Sequence, residues 1–284
     1  MPEIPFTLTH KSNSYNSLTY KPHGDNWSED LLLLSDLHFD NPHCDRSLLK
    51  THLDQAVDRN AAIIVAGDFY CAMQGKGDFR GSKEDVRPEH NVGNYLDSLV
   101  TEAVEWWQPY KNHLAIVGRG NHEQSVVDRK EVDLLSNFAA MMRASGGITQ
   151  TAGYASFIKL VFRYKRMMQN LIYMHHGYGG GSQSTRSTNH WMQYIGQVQA
   201  DMYLAGHTHW KEHVPYRRAT CNGHGKIEYK DIHCLRLGTY KDEYRSDNMS
   251  GYHHVKGRGP RPLGGYWMTI TRSNHQMHYR FSEC

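Results

Sequence analysis

The chain has 284 residues, 39% of them hydrophobic, and a formal net charge of +3. That length can bury the core of one large domain, and the composition excludes a disordered chain. The charge is too small to diagnose a nucleic-acid binder, and no apolar run approaches the roughly 20 residues a membrane-spanning helix needs.

In chain order, the stretch to about Ser28 is polar and reads as an N-terminal extension without an assignable role. Its start, Met1-Pro2-Glu3-Ile4-Pro5, lacks the basic-then-apolar order of a secretory signal, so a cytoplasmic protein without membrane attachment is expected. Leu31–Leu34 is the first short, continuous apolar run, and such runs with turn residues behind them predict buried strands. Leu48, Leu49, Leu53, Ala56 and Val57 then repeat at helical spacing. A second strand is predicted over Ala61–Ala66, followed by a polar, glycine-rich surface insertion over 74–93. Tyr95, Leu96, Leu99, Val100, Ala103, Val104 and Trp107 mark a second helix, Leu114–Val117 a third strand, and Val132 to Met142 a third helix. Leu171–Met174 and Met202–Ala205 are the fourth and fifth strands, with Gly177–Ser187 between them as a flexible loop. Beyond Trp210 the texture changes: Cys234–Leu237, Tyr266–Thr271 and Met277–Phe281 read as strands without a helix. Residues 210–284 are therefore expected to complete a second sheet inside a single domain spanning 1–284. A basic stretch, Lys241–Arg261, lies within that tail.

The 20 histidines matter because of where some of them fall. Each apolar run ends in potential metal ligands: Asp36-Leu37-His38, Gly67-Asp68, Gly120-Asn121-His122-Glu123, His175-His176-Gly177 and Gly206-His207-Thr208-His209. Strands alternating with helices imply a mixed sheet, and ligand sites in such sheets lie beyond the carboxyl ends of the strands. Oxygen and nitrogen donors without thiolates suit Mn²⁺, Fe, Zn²⁺, Ni²⁺ or Co²⁺. The five cysteines are scattered and form no C-x-x-C pair, which fits free thiols in a reducing compartment.

The five blocks DLH, GDFY, GNHE, HHG and GHTH, in this order, resemble those of the calcineurin-like metallophosphoesterases from Leu31 to about His209. The resemblance implies an α/β fold, a four-layer α/β/β/α sandwich of two mixed sheets with the site at the strand ends. It implies two divalent metal ions, manganese first. Asp36, His38 and His209 would hold one; Asn121, His175 and His207 would hold the other; Asp68 would bridge them. The first histidine of the HHG block is usually the family's ligand, which favours His175 over His176. His122 would stand beside the substrate phosphate as the catalytic group that protonates the leaving oxygen, and Glu123 would orient an imidazole or a backbone turn. The paired metals would turn a shared water into hydroxide near neutral pH, for in-line attack on phosphorus.

Some residues keep a blander reading. Arg119 is equally well a phosphate contact or a solvated surface residue, and His176 reads as a neighbour of the site or a surface residue, with substrate contact as its functional alternative. The basic stretch is usually a solvated face, with a nucleic-acid backbone as its functional counterpart. The substrate is a phosphoester, and three readings stay open. A phosphodiesterase or nuclease acting on nucleic acid or nucleotides is favoured, since GHTH and HHG resemble the DNA-repair exonucleases and cyclic-nucleotide phosphodiesterases of the family. A phosphomonoesterase, either nucleotidase or protein phosphatase, is second. GRGNHE resembles the Ser/Thr phosphatases, but Gly67-Asp68-Phe69-Tyr70-Cys71 lacks their second aspartate and following arginine. A metal-free binding scaffold ranks last. The compact form and polar insertions also resemble members carried by phages and mobile elements.

Overall fold

The computed structural model describes residues 4–72, 86–179, 186–244, 257–274 and 276–284, without the side chains of 186–188. Residues 74–85 of the expected insertion, 180–185 of the expected loop and 245–256 of the basic stretch lie outside the described residues.

Thirteen strands are described, in two sheets. They are β1 (Phe6–Ser12), β2 (Tyr15–Tyr20), β3 (Ser28–Leu34), β4 (Ala62–Val65), β5 (Leu114–Gly118), β6 (Gln150–Ala152) and β7 (Ala155–Tyr164). The remainder are β8 (Arg166–His175), β9 (Met202–Ala205), β10 (Lys211–Cys221), β11 (Ile227–Leu237), β12 (Tyr266–Ser273) and β13 (Gln276–Glu283). Five α-helices are found among the described residues: α1 (Arg46–Asp58), α2 (Tyr95–Trp107), α3 (Asn121–Lys130), α4 (Leu134–Ala144) and α5 (Arg186–Gln197). One sheet has the order β1-β2-β7-β8-β9-β11-β10 and the other β13-β12-β3-β4-β5-β6.

Strand alternation explains why the central runs are apolar throughout. Leu31 and Leu33 of β3 point into the core between the sheets, together with Ala62 and Ile64 of β4 and Ile172 and Met174 of β8. Leu32, Leu34, Ile63 and Val65 point the other way, into a second core shared with α1, α2 and α4. A strand covered on both faces cannot alternate apolar with polar residues. All four leucines are fully buried, each contributing about 1.5–3 kcal/mol of transfer free energy. The outer face of the seven-stranded sheet is covered by α5, whose Trp191 and Tyr194 pack on Tyr203, Ala205, Ile232 and Cys234. Helices outside, two mixed sheets inside: this is the α/β sandwich that the sequence predicts.

Three features differ from expectation. The N-terminal stretch forms β1 and β2, and β2 adds to β7 in parallel, so most of it belongs to a sheet. The tail strands are divided between the sheets: β10 and β11 extend the seven-stranded one, whereas β12 and β13 extend the other through antiparallel pairing of β12 with β3. The helix α5 starts within the expected loop. No helix among the described residues is long and apolar enough to cross a membrane.

Candidate metal centre

The topology brings two sets of carboxyl ends together. β3, β4 and β5 are parallel neighbours, and Asp36, Asp68 and Asn121 follow them by two or three residues. In the other sheet β8 and β9 are parallel neighbours, and the histidine blocks leave their ends. The loops continue the pairing: Asp36 N–H donates to the Gly67 carbonyl and His38 N–H to the Asp68 carbonyl, both at 3.0 Å. Across the second pair, Gly206 N–H donates to the His176 carbonyl at 2.8 Å.

Two donor groups result. In the first, Asp36, His38 and His209 bring ligand atoms within 4.8 Å of one another. His38 Nε2 lies 3.2 Å from His209 Nε2, which is 3.4 Å from Asp36 Oδ1. In the second, Asp68, His176 and His207 meet the same distance condition. Asn121 Oδ1 joins it, 2.7 Å from His207 Nδ1 and 3.2 Å from His176 Nε2. Asp68 Oδ2 links the groups, standing 3.2 Å from His176 Nε2 and 4.0 Å from His38 Nε2.

The structure brings His176, and not His175, into this cluster. Alternation along β8 decides it: Ile172 and Met174 face the core between the sheets, so the next residue of that parity is His176. His175 faces α5 instead. Its Nδ1 accepts from Gly177 N–H at 2.9 Å and lies 3.1 Å from the Tyr194 hydroxyl. His176 Nδ1 must carry a proton, because it donates to the Ala66 carbonyl at 3.0 Å. That bond aims Nε2 at Asp68 and Asn121, the arrangement that fixes the tautomer of a metal-binding histidine.

Charge and strain concentrate here. Burial opposes charge on His176, but the Asp68 carboxylate outweighs it and lifts the imidazole to about 10. Burial likewise opposes ionisation of Asp68, yet His176 and His122 hold its carboxyl well below the usual range. His207 is pushed down to about 4, mainly by burial and by the charge of His176. Five site residues have left-handed backbones, namely Asp36, His38, Asp68, His207 and His209, with φ between 46° and 70°. Such conformations cost of order 1–3 kcal/mol each in non-glycine residues and cluster at functional sites. Two glycines are required by close approach. A Cβ on Gly120 would lie 2.0 Å from Asp68 Oδ1, and one on Gly206 would lie 2.0 Å from Ser35 Oγ and 2.4 Å from Asp36 Oδ2.

His122 opens α3. Its backbone N–H donates to Asp68 Oδ1 at 3.0 Å, and its Nδ1–H donates to the Cys71 carbonyl at 2.6 Å. Nε2 is left facing the centre, 3.9 Å from Asp68 Oδ2. Glu123 orients a turn: its carboxyl accepts from Tyr70 N–H at 2.8 Å and Gly120 N–H at 2.9 Å, and burial beside Asp68 raises it to about 8. Arg119 is drawn away into an ion pair with Asp133, the N-cap of α4. Three supporting residues were not anticipated. Asp40 accepts from Cys71 N–H at 2.5 Å and Ala72 N–H at 2.8 Å, fixing the segment on which His122 leans. Ser35 donates to Asp36 Oδ2 at 2.6 Å, and Tyr154 packs edge-on against His176. The alternation Asp36, His38, Asp40 was the available signal for Asp40; nothing in the sequence marks Ser35 or Tyr154.

The donors fit divalent metal ions. Buried carboxylates, an amide oxygen and imidazole nitrogens converge, and backbone carbonyls hold the second nitrogen of His176 and of His122.

Residues 30–211 match the family described as calcineurin-like phosphoesterase. No curated protein matches the chain. Among solved structures, a metallophosphoesterase from Sphaerobacter thermophilus is 11% identical, with a TM-score of 0.39, covering 90% of this chain and 89% of its own. A conserved protein of Streptococcus pneumoniae TIGR4, described as a predicted phosphoesterase, is 14% identical with a TM-score of 0.32, covering 90% of both chains. A Thermotoga maritima protein solved by NMR is 12% identical with a TM-score of 0.35, covering 90% of this chain and 99% of its own.

Proposed function

The chain belongs to the calcineurin-like phosphoesterase family and is a metallophosphoesterase; on that premise we propose that it is a dinuclear phosphodiesterase acting on nucleic acid or nucleotides. The observation that carries this reading is the pair of donor groups joined through Asp68 Oδ2. Asp36, His38 and His209 would hold one ion, Asn121, His176 and His207 the other, and Asp68 would serve both. Held there, divalent ions, with manganese the first candidate, would supply Lewis acidity toward the phosphoryl oxygens and would lower the pKa of the attacking water.

The chain's own residues do the rest. Asp36 is fixed by His207 N–H, at 2.9 Å from Oδ2, and by the Ser35 hydroxyl, so it presents its carboxylate without reorganising. His122, anchored through Nδ1–H to the Cys71 carbonyl, can offer a proton at Nε2 to the departing oxygen. The diester preference is supported by Arg119. In the GRGNHE block this guanidinium would best suit a dianionic monoester, and it is paired with Asp133. A nucleotide substrate is supported by Trp210, next to His209 and only part-buried, with the Arg261 guanidinium 3.9 Å from its ring centroid. An aromatic face beside a cation suits a base next to its phosphate.

Loaded with Mn²⁺, the protein is expected to hydrolyse bis-p-nitrophenyl phosphate with a kcat/KM at least about tenfold above that for p-nitrophenyl phosphate, a gap of about 1.4 kcal/mol in transition-state stabilisation. Preference for the monoester would overturn the phosphodiesterase reading, and activity surviving a chelator would overturn the metal dependence.

A further inference from the structure

Beside the oxygen and nitrogen donors lies a trio of different chemistry. Ligand atoms of Cys71, His38 and His122 lie within 4.8 Å of one another. Cys71 and His38 are almost wholly buried. The sulfur is placed from both sides: Asp40 grips the backbone N–H groups of Cys71 and Ala72, and Asn41 Nδ2 donates to Sγ at 3.4 Å. His122 spends its Nδ1 proton on the Cys71 carbonyl, which leaves the Nε2 lone pair as its donor to a metal. His38 Nδ1 is buried without a hydrogen-bond partner, while its Nε2 faces His209 and Asp68. One thiolate with two imidazoles selects zinc or cadmium over manganese or magnesium.

We propose that Cys71, His38 and His122 form an inhibitory site for a thiophilic divalent cation such as Zn²⁺ or Cd²⁺. The thiol releases its proton to solvent as the metal–sulfur bond forms. The ion then occupies the His122 lone pair, so that Nε2 can no longer carry a proton to the leaving oxygen. His38 is common to this trio and to the neighbouring donor group, so the thiophilic ion also competes with a metal held there. The inhibition rests on the proposed phosphodiesterase function; binding of the ion does not.

The test is a Cd²⁺ titration of the Mn²⁺-loaded full chain and of Cys71→Ser, following near-ultraviolet absorbance and diester hydrolysis in parallel. Wild type should gain one equivalent of thiolate-to-cadmium charge-transfer absorbance, and Cys71→Ser should lack that increment. The Cd²⁺ concentration giving half inhibition, with each protein referred to its own uninhibited rate, should rise at least about tenfold in Cys71→Ser. An unchanged band in Cys71→Ser, or equal inhibition of both proteins, would overturn the proposal. Cys71→Ala is the second variant, and cadmium NMR of the wild type reads the donor set without any substitution; a resonance without sulfur would likewise overturn it. If the protein hydrolyses no diester, absorbance and NMR still decide the site, so failure of the proposed function is distinguishable from failure of this inference.

Discussion

Asp68→Ala is expected to lower kcat/KM for the diester by on the order of 10³-fold or more, with the far-ultraviolet circular dichroism unchanged. The expectation follows from geometry. Asp68 Oδ2 is the atom that touches both donor groups, while Oδ1 receives the backbone N–H that seats His122. Loss of the carboxylate therefore removes the link between the two donor groups and one support of the neighbouring His122 imidazole. It also removes what keeps His176 charged. In the folded protein that ring is lifted to about 10, so its pairing with Asp68 contributes fully below the unfolded histidine value and is lost as pH rises through about 10. Asp68 carries the opposite sign: its depressed value contributes above the unfolded aspartate value and is lost in acid. The thermal stability difference between wild type and Asp68→Ala, measured in chelator, should accordingly be largest between the unfolded aspartate and histidine values, about pH 4 to 6.5, and shrink both in acid and as pH rises toward 10. Wild-type activity in Asp68→Ala would remove the bridging carboxylate from the mechanism.

The second large effect concerns His122. If Nε2 delivers a proton to the leaving oxygen, the cost of its loss depends on how much that oxygen needs the proton. His122→Ala should slow cleavage of a diester with an alkyl leaving group by about 10²–10³-fold, and cleavage of the p-nitrophenyl diester by under about tenfold. Comparing kcat for the two substrates in both proteins reads this directly. Equal losses on both would assign His122 to binding or positioning and not to proton donation.

Much of this centre is legible in the sequence because its parts obey local rules. Leu31–Leu34 and Ala61–Ala66 are apolar at every position since both faces of β3 and β4 are covered, and that continuity marks where each strand stops and its candidate ligands begin. Gly120 and Gly206 stand where a Cβ would strike a site carboxylate or its hydrogen-bond partner, so glycine before the ligand is a steric consequence of the cluster. Other features depend on contacts between segments distant in sequence. The choice between His175 and His176 turns on which face of β8 meets the other sheet, a parity visible only when Ile172 and Met174 are assigned to the core. The N-terminal hairpin is not legible in the sequence because β1 and β2 bury few apolar side chains, and Leu18 and Tyr20 are covered only once β2 lies against β7. In α5 the spacing of Trp191, Tyr194 and Ile195, continued by Val198 just past its end, is a helical signal masked by the polar residues between them. Asp40 works mainly through backbone N–H groups 31 and 32 residues away, partners that the alternation Asp36, His38, Asp40 does not name.

The most direct test of the centre is the metal content of protein dialysed against Mn²⁺ and passed over a desalting column, for wild type, His175→Ala and His176→Ala. Two manganese ions per chain are expected in wild type and in His175→Ala, because His175 faces α5, and one in His176→Ala. A single ion in wild type, or loss of an ion in His175→Ala with retention of both in His176→Ala, would contradict the ligand set and the dinuclear centre built on it.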